Sequence, residues 1–178
     1  MYRQINPARR LTEDLKLPLI SKDEIKELLF DNLGCQDREW SKKLGGMAFE
    51  ILYWSMEKVL AAGLSLIVDV DFSNPAAASE RLAILGTKCP FRLLRITLVT
   101  NGTVLFERFQ HRSTSGERHP GHVDHTNFEE FKPMLLKGRR EVADIGGENL
   151  EIDTTDFQNL PYRRVLSSIR EKMPNGLN

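Results

Sequence analysis

The 178-residue sequence predicts an α/β fold with a parallel sheet, because short apolar runs alternate along the chain with segments of helical periodicity. The clearest run, 64–69, is nearly unbroken in apolar residues and closes on an acid, which is typical of a strand buried on both faces. Residues 93–99 form the next predicted strand. A short run at 17–20, ending at Ser21, and another at 150–153 complete the set of predicted strands.

Capping residues and glycines place helices between these strands. Ser21 and Glu24 have the spacing of a capping box, and Asn74-Pro75 is a second helix start. The predicted helices are 7–15, 21–33, about 39–62, 75–85 with Gly86 as its end, one beginning at Thr100 or Asn101, one beginning with the capping box Thr126–Glu129 and bent or interrupted by Pro133, and 162–173. In the long helix, an inward face is predicted from Leu44, Met47, Ala48, Ile51 and Leu52.

Length and composition indicate one soluble domain spanning 1–178. Lys plus Arg and Asp plus Glu both number 25, and this zero net charge argues against nucleic acid as a partner. Cys35 and Cys89 lack a paired spacing, so we expect reduced thiols and a cytoplasmic location. No apolar run reaches the roughly 18–20 residues that span a bilayer, and Met1–Arg10 lacks the apolar core of a secretory signal. We therefore expect no membrane partner.

The most unusual feature is a segment at 107–125 that holds all four histidines together with Arg108, Arg112 and Arg118. Converging guanidinium groups are suited to clamping phosphate or carboxylate oxygens. A solvated loop with an ion-paired helix end is the simpler alternative. A metal site is a third interpretation, although the spacing does not match a known helical pair and Pro120-Gly121 breaks any helix there. Its ligands would be His119, His122, His125 and Asp124.

Three acids follow predicted strands. Asp69 ends the run at 64–69, Asp71 comes two residues later, and Asp23 lies in the first turn of the helix after Ser21. Ligands of open parallel sheets bind beyond the carboxyl ends of the strands, so acids there are placed for Mg²⁺ or a substrate hydroxyl. An acid that merely stabilises a helix start is the alternative for each of them.

Taken in order, these motifs resemble the AAA-domain P-loop kinase-like proteins, which are ATP-binding proteins related to polynucleotide kinase, chloramphenicol phosphotransferase and zeta toxin. The motifs are Leu17–Ile25, Ile67–Phe72, Glu107-Arg108 with Arg112, Gly116–His122 with its Arg-His-Pro-Gly-His core, and Asp153–Asp156. The resemblance covers about 7–172, and Arg-His-Pro-Gly-His is its most specific part. It implies a three-layer P-loop NTPase-like parallel sheet.

The resemblance also implies roles for individual residues. Asp23 would accept the proton of the substrate hydroxyl, and Asp69 would help to hold Mg²⁺, with Asp71 beside it. A lid at about 108–125 would close on the transferred phosphoryl group, with Arg118 and His119 at the nucleotide. Arg108, Arg112 and Arg118 would be its catalytic arginines, and Thr154 and Thr155 would lie near the adenine. The implied cofactors are ATP and Mg²⁺, and the implied acceptor is a small-molecule or nucleotide-like substrate.

One part of the family pattern is missing. The sequence contains no Gly-x-x-x-x-Gly-Lys-Ser/Thr motif, whose backbone amides and lysine cradle phosphates. Ala8–Leu11 resembles the helix that follows this loop, so we expect a truncated chain without the central first strand, between 64–69 and 93–99. ATP binding is then expected to be impaired, and a non-catalytic ligand-binding or scaffold protein is the alternative function. An exposed strand edge there could promote self-association, but the sequence does not indicate an oligomeric state.

Overall fold

The computed structural model of the protein describes residues 7–72, 74–116, 118–123, 128–139, 146–157 and 159–173. Helices and strands alternate as the sequence predicts. The helices are α1 (Pro7–Leu15), α2 (Lys22–Leu33), α3 (Arg38–Ala61), α4 (Pro75–Lys88), α5 (Gly102–Thr114), α6 (Phe128–Leu135) and α7 (Tyr162–Lys172). The strands are β1 (Leu19–Ser21), β2 (Ile67–Asp69), β3 (Leu94–Val99) and β4 (Glu148–Asp153), and a 3₁₀ turn covers Pro120–His122.

The described residues divide into two compact units, of which unit 1 runs to Phe91 and unit 2 begins at Arg92. Each unit contains a two-stranded parallel sheet, β1–β2 in unit 1 and β3–β4 in unit 2. The predicted α/β class with parallel strand pairing is therefore confirmed. Within the described residues, β2 and β3 each pair with a single strand.

Local side-chain contacts explain where the helices of unit 1 begin and end. The Ser21 hydroxyl accepts from the Glu24 amide at 3.5 Å, as predicted, and Gly34 ends α2 with a left-handed φ of 83°. Asp37 caps α3 by accepting from the Trp40 amide at 2.8 Å. These caps satisfy helix-end amides that would otherwise lack partners.

The core of unit 1 lies between α3 and α4. Its fully buried residues are Leu52 and Met56 of α3 with Leu82 and Leu85 of α4, and strand residues such as Val68 pack against them. The inward face of α3 is Leu44, Ala48, Leu52 and Met56, at strict four-residue spacing. The prediction was wrong for Met47 and Ile51, which are 40% and 37% exposed, because two-faced apolar periodicity does not identify the face that is covered.

Two predicted boundaries in unit 1 were also wrong. The strand predicted at 64–69 covers only Ile67–Asp69 and is half-buried, and Leu64 is exposed. Helix α4 continues through Gly86 to Lys88, since Leu85 is buried beside it and the roughly 1 kcal/mol cost of a helical glycine is smaller than the gain from that burial.

Unit 2 is built on the pairing of β3 with β4 over six residues each, from Leu94↔Glu148 to Val99↔Asp153. Asn101 caps α5, with its side-chain oxygen accepting from the Thr103 and Val104 amides. Ile152 of β4 and Tyr162 and Ile169 of α7 are buried.

Of the two effects predicted for Pro133 in helix α6, interruption is wrong. The helix contains Pro133 and continues to Leu135. Proline lacks a backbone N–H donor, and because the helix ends two residues later, few of its backbone hydrogen bonds are affected. Thr126 and Asn127 of the predicted capping box lie outside the described residues.

Cys35 is exposed and Cys89 is buried, and both are free thiols, in agreement with the sequence prediction. Within the described ranges, no helix combines the length and the apolar character needed to cross a lipid bilayer.

Candidate functional site

In unit 1, the register of the sheet brings predicted site residues to one edge. Ser21 of β1 pairs with Asp69 of β2, so both strands end at the same level. Asp23 follows Ser21 in the first turn of α2, and Asp71 follows Asp69 beyond the end of β2. The structure thus places Asp69 at the carboxyl end of β2, and Asp23 and Asp71 just beyond the ends of β1 and β2, where ligands of such sheets bind.

The Asp23 carboxylate has a cation beside it. Lys22 Nζ lies 3.4 Å from Asp23 Oδ1, and the Asp23 side chain is 44% exposed. Asp23 also lies in the first turn of α2, where the helix dipole stabilises a negative charge. These features keep a proton acceptor accessible to solvent and in a defined place.

Arg9 of α1 is a basic residue at this edge that the sequence analysis did not select. Its guanidinium donates to Glu24 Oε1 at 2.6 Å. This contact raises the pKa of Arg9, with smaller contributions from Glu27 and Asp69. Asp69 therefore lies within the electrostatic reach of a cation that is 60% exposed. The sequence shows that Arg9 lies in a predicted helix, but only the fold shows that this helix lies beside the ends of β1 and β2.

Lys26 is a second basic residue that the sequence analysis did not select. It is buried, its Nζ donates to the Ser41 hydroxyl at 2.9 Å, and it lies 5.2 Å from the centre of the Phe30 ring. Lys26 therefore ties α2, which carries Asp23, to α3.

In unit 2, a network of hydroxyl groups joins the ends of β3 and β4. The Thr154 hydroxyl lies 2.6 Å from that of Thr100 and donates to the Val99 carbonyl at 2.9 Å. The Thr155 hydroxyl accepts from the Asn101 amide at 2.8 Å. The two predicted nucleotide-site threonines therefore hold the loop after β4 against the start of α5.

Asp153 stabilises the same loop. Its Oδ1 accepts from the Thr155 amide at 2.8 Å. Hydrogen bonds from the Thr155 hydroxyl and backbone lower the pKa of Asp153. The carboxylate therefore favours the conformation that this loop adopts in the folded chain.

Arg108 of α5 contacts this loop through both ends of its guanidinium fork. Nη1 donates to the Thr154 carbonyl and Nη2 to the Thr155 carbonyl, each at 2.8 Å. The Phe157 ring lies 5.8 Å from the guanidinium carbon. The structure brings together three predicted site residues here, and the described contacts of Arg108 are with the protein's own backbone. Its role as a lid residue stays a prediction.

The remaining predicted residues of unit 2 lie on α5 and in the segment 118–123. Arg112 is exposed in the last turn of α5. Arg118 Nη2 lies 3.1 Å from His122 Nδ1, and His119 Nδ1 accepts from the Gly121 amide at 3.1 Å. The histidines thus shape a compact turn next to one of the predicted lid arginines.

The metal alternative receives no support from the described residues, which hold no group of three or more His, Cys, Asp or Glu arranged to bind an ion. Two of its predicted ligands, Asp124 and His125, lie outside those residues.

A shallow groove of about 180 Å³ between α3 and α4 is separate from the predicted residues. Exposed Trp54 and Ile84 lie on it, and the ion pairs Glu50–Arg81 and Glu57–Lys88 cross it. None of the predicted site residues lines this groove.

Comparison with known proteins finds a similar solved structure. No protein-family model matches the chain, and no curated protein sequence matches it. Among solved structures, the chain is similar to one from Chloroflexus aurantiacus J-10-fl that is described as a "putative kinase". The two are 33% identical, the match covers 94% of this chain and 90% of the other, and the TM-score is 0.84. The chain has a kinase-like α/β fold and belongs to the family of this Chloroflexus protein.

Proposed function

We propose that the protein is a P-loop kinase-like protein that binds ATP and transfers its γ-phosphoryl group to a hydroxyl group of a small acceptor. The observation that carries the proposal is the position of Asp23, Asp69 and Asp71 at or just after the carboxyl ends of the paired strands β1 and β2, in a chain of a kinase-like family. Phosphoryl transfer needs a positioned proton acceptor and neutralisation of phosphate charge, rather than covalent chemistry by the protein.

In the proposed reaction, the acceptor hydroxyl oxygen forms a bond to the γ-phosphorus while the bond to the β–γ bridging oxygen breaks. The hydroxyl proton passes to the Asp23 carboxylate, and ADP leaves with the electron pair of the broken bond. Asp23 suits this role because it is accessible and beside a helix start and Lys22. Arg112 and Arg118 would neutralise the charge on the transferred group.

The donor set at the end of β2 fits a magnesium ion. Mg²⁺ is usually held by one or two carboxylates together with substrate phosphates, and Asp69 and Asp71 offer these carboxylates. A bound ion would supply charge neutralisation on the phosphate oxygens. Asp69 and Asp71 would hold it, and the Arg9 guanidinium lies within electrostatic reach of Asp69.

Because the 178 residues contain no Gly-rich phosphate loop motif, we expect ATP to bind less tightly than it does where the loop amides cradle the phosphates. The alternative function is a non-catalytic ligand-binding or scaffold role. This alternative is favoured by the hydrogen bonds of Arg108, because both ends of its guanidinium group donate to the protein's own carbonyls, those of Thr154 and Thr155.

Titration calorimetry of the full chain with ATP·Mg²⁺ tests nucleotide binding. We expect micromolar affinity in the wild type and a loss of about tenfold or more in Arg118→Ala, since a charged hydrogen bond is removed. Arg163→Ala on α7, another exposed arginine of unit 2, is the matched control and should bind like the wild type. A folded wild type that does not bind ATP would refute the proposal of an active nucleotide site and leave the non-catalytic role.

The proton-acceptor role of Asp23 is tested by phosphoryl transfer from γ-labelled ATP to a panel of nucleosides, sugars and amino alcohols. Asp23→Asn should retain ATP affinity and lose about 10²–10⁴-fold in transfer rate, because general base catalysis is removed. Asp31→Asn, on the same helix and exposed, is the control. Equal transfer rates in both variants would show that Asp23 is not the base.

A further inference from the structure

His122 is the most buried of the described histidines in the segment that the sequence analysis selected. It is 3% exposed and ends the 3₁₀ turn Pro120–His122. Its Nδ1 lies 3.1 Å from Nη2 of Arg118, four residues earlier in the chain. A buried polar side chain is therefore in direct contact with an arginine to which the proposed function assigns phosphate binding.

The chemistry of this contact fixes the state of the imidazole. A guanidinium group carries only donors, so His122 Nδ1 must be the acceptor and cannot carry a proton. In the neutral ring the proton is then on Nε2. His119 has the same arrangement, because its Nδ1 accepts from the Gly121 amide. Both histidines are consequently defined as Nε2–H tautomers.

The turn that carries His122 is held at several points. The His122 amide donates to the His119 carbonyl and the Val123 amide to the Pro120 carbonyl, each at 3.1 Å. Pro120 fixes its own φ, and Val123 has a φ of 49°, a left-handed conformation that β-branched residues rarely adopt. The backbone of the turn is therefore well defined, and the contact with Arg118 is what positions the His122 ring.

We propose that His122 is a positioning residue that orients the Arg118 guanidinium for an anionic phosphate group. The inference rests on the proposed function, because it assumes that Arg118 binds phosphate. An arginine side chain has many rotamers, and fixing one of them on ligand binding costs conformational entropy. The His122 Nδ1 acceptor restricts Arg118 before the ligand arrives, while His122 itself does not contact the ligand.

Three variants separate the acceptor at Nδ1 from the rest of the ring. His122→Asn keeps an acceptor oxygen near the Nδ1 position, His122→Gln places it one carbon further out, and His122→Ala removes it. We expect ATP·Mg²⁺ affinity to fall about tenfold in the Gln and Ala variants and to stay within about threefold of the wild type in the Asn variant. His111→Gln, a histidine of α5, is the control. Equal affinity in wild type and His122→Ala would overturn the inference.

A double-mutant cycle distinguishes positioning from general damage to the turn. If His122 acts through Arg118, then His122→Ala has no further effect on affinity in an Arg118→Ala background. Additive losses would show that His122 acts independently of Arg118 and would overturn the inference.

Nitrogen NMR of the imidazole rings gives a readout that does not need ATP. His122 Nδ1 should show the shift of an unprotonated ring nitrogen, and this shift should change in Arg118→Ala and not in His111→Gln. A wild type that binds no ATP refutes the proposed function, and the spectrum then decides the inference alone. The inference would be overturned by a protonated Nδ1. It would also be overturned if the Nδ1 chemical shift were the same in the wild type and in Arg118→Ala.

Discussion

At the scale of single residues, Arg108 shows how one side chain can organise a loop. Its two donated bonds reach consecutive carbonyls, those of Thr154 and Thr155, and its charge faces the Phe157 ring. Hydrogen bonds from a charged donor are stronger than neutral ones, and a planar fork loses little entropy in making two at once. Arg108 therefore contributes to the stability of unit 2 whether or not it also contacts a ligand.

We expect Arg108→Met to destabilise the chain by about 2–4 kcal/mol, since it keeps the aliphatic stem and removes two charged hydrogen bonds. Urea unfolding followed by circular dichroism measures this loss. Arg163→Met on α7 is the matched control and should change the free energy of unfolding by less than about 0.5 kcal/mol. Equal effects of the two substitutions would show that the contacts of Arg108 with the loop do not stabilise the fold.

Asp153 gives a prediction for pH dependence. The Thr155 hydroxyl and amide lower the pKa of Asp153, so this group favours the folded state above the ordinary Asp pKa of about 3.9. The contribution is lost as the pH falls through the lowered pKa of the folded state. Carbon NMR titration should therefore place the Asp153 carboxyl below its ordinary value.

Thr155→Val should move the pKa of Asp153 part of the way back, because the hydroxyl bond is removed while the backbone bond at 2.8 Å remains. Thr155→Ser keeps the hydroxyl and should leave the pKa low. A Val variant with an unchanged pKa would assign the shift to the backbone amide alone.

At the scale of helices and strands, neighbouring residues of α3 differ strongly in how much of each is buried. Leu52 is fully buried in the core of unit 1, whereas Ile51 is 37% exposed. Leu52→Ala should cost about 2–5 kcal/mol, because the cavity cannot close completely between two helices. Ile51→Ala should cost less than about 1 kcal/mol. Urea unfolding of both variants measures the difference, and similar losses would show that α3 is rotated about its axis.

Sequence reasoning predicted elements well where capping chemistry is local. The Ser21 cap and the Asn101 cap depend on residues within a few positions of one another, and both are confirmed. The parallel pairing joins strands that are far apart in the chain, and it was predicted from the alternation of apolar runs with helices. It failed for the inward face of α3, because Met47 and Ile51 continue an apolar stripe that no described element covers. Exposure of that kind depends on which helices pack against α3, and a single sequence does not contain this information.

In the candidate site, too, positions along the chain were predictable and side-chain contacts were not. Acids at strand ends were recognisable from their positions, and the register of β1 with β2 then paired Ser21, two residues before Asp23, with Asp69. The contacts of Arg9 with Glu24 and of Arg118 with His122 could not be predicted, since each depends on side-chain directions at a particular helix or turn. The spacing of residues in the sequence indicated which side chains were unusual, and the folded structure was needed to show what they contact.

At the scale of the whole molecule, buried apolar residues are distributed unequally between the two units. Among the described residues, those of unit 1 are Leu11, Phe30, Leu44, Ala48, Leu52, Met56, Ala78, Leu82, Leu85 and Cys89, and those of unit 2 are Ile152, Tyr162 and Ile169. Burial of apolar surface is the main favourable contribution to folding, so the free energy that opposes local opening should be larger in unit 1.

Native-state hydrogen exchange should therefore show slower amides in α3 and α4 than in β3, β4 and α7. Both tryptophans, Trp40 and Trp54, belong to unit 1, so their fluorescence reports on that unit alone. We expect the fluorescence transition in urea to have a higher midpoint than the circular dichroism transition, to which both units contribute. Coincident transitions with equal protection would mean that the chain unfolds as one cooperative unit, and the stability of unit 2 would then come from interactions beyond its own buried residues.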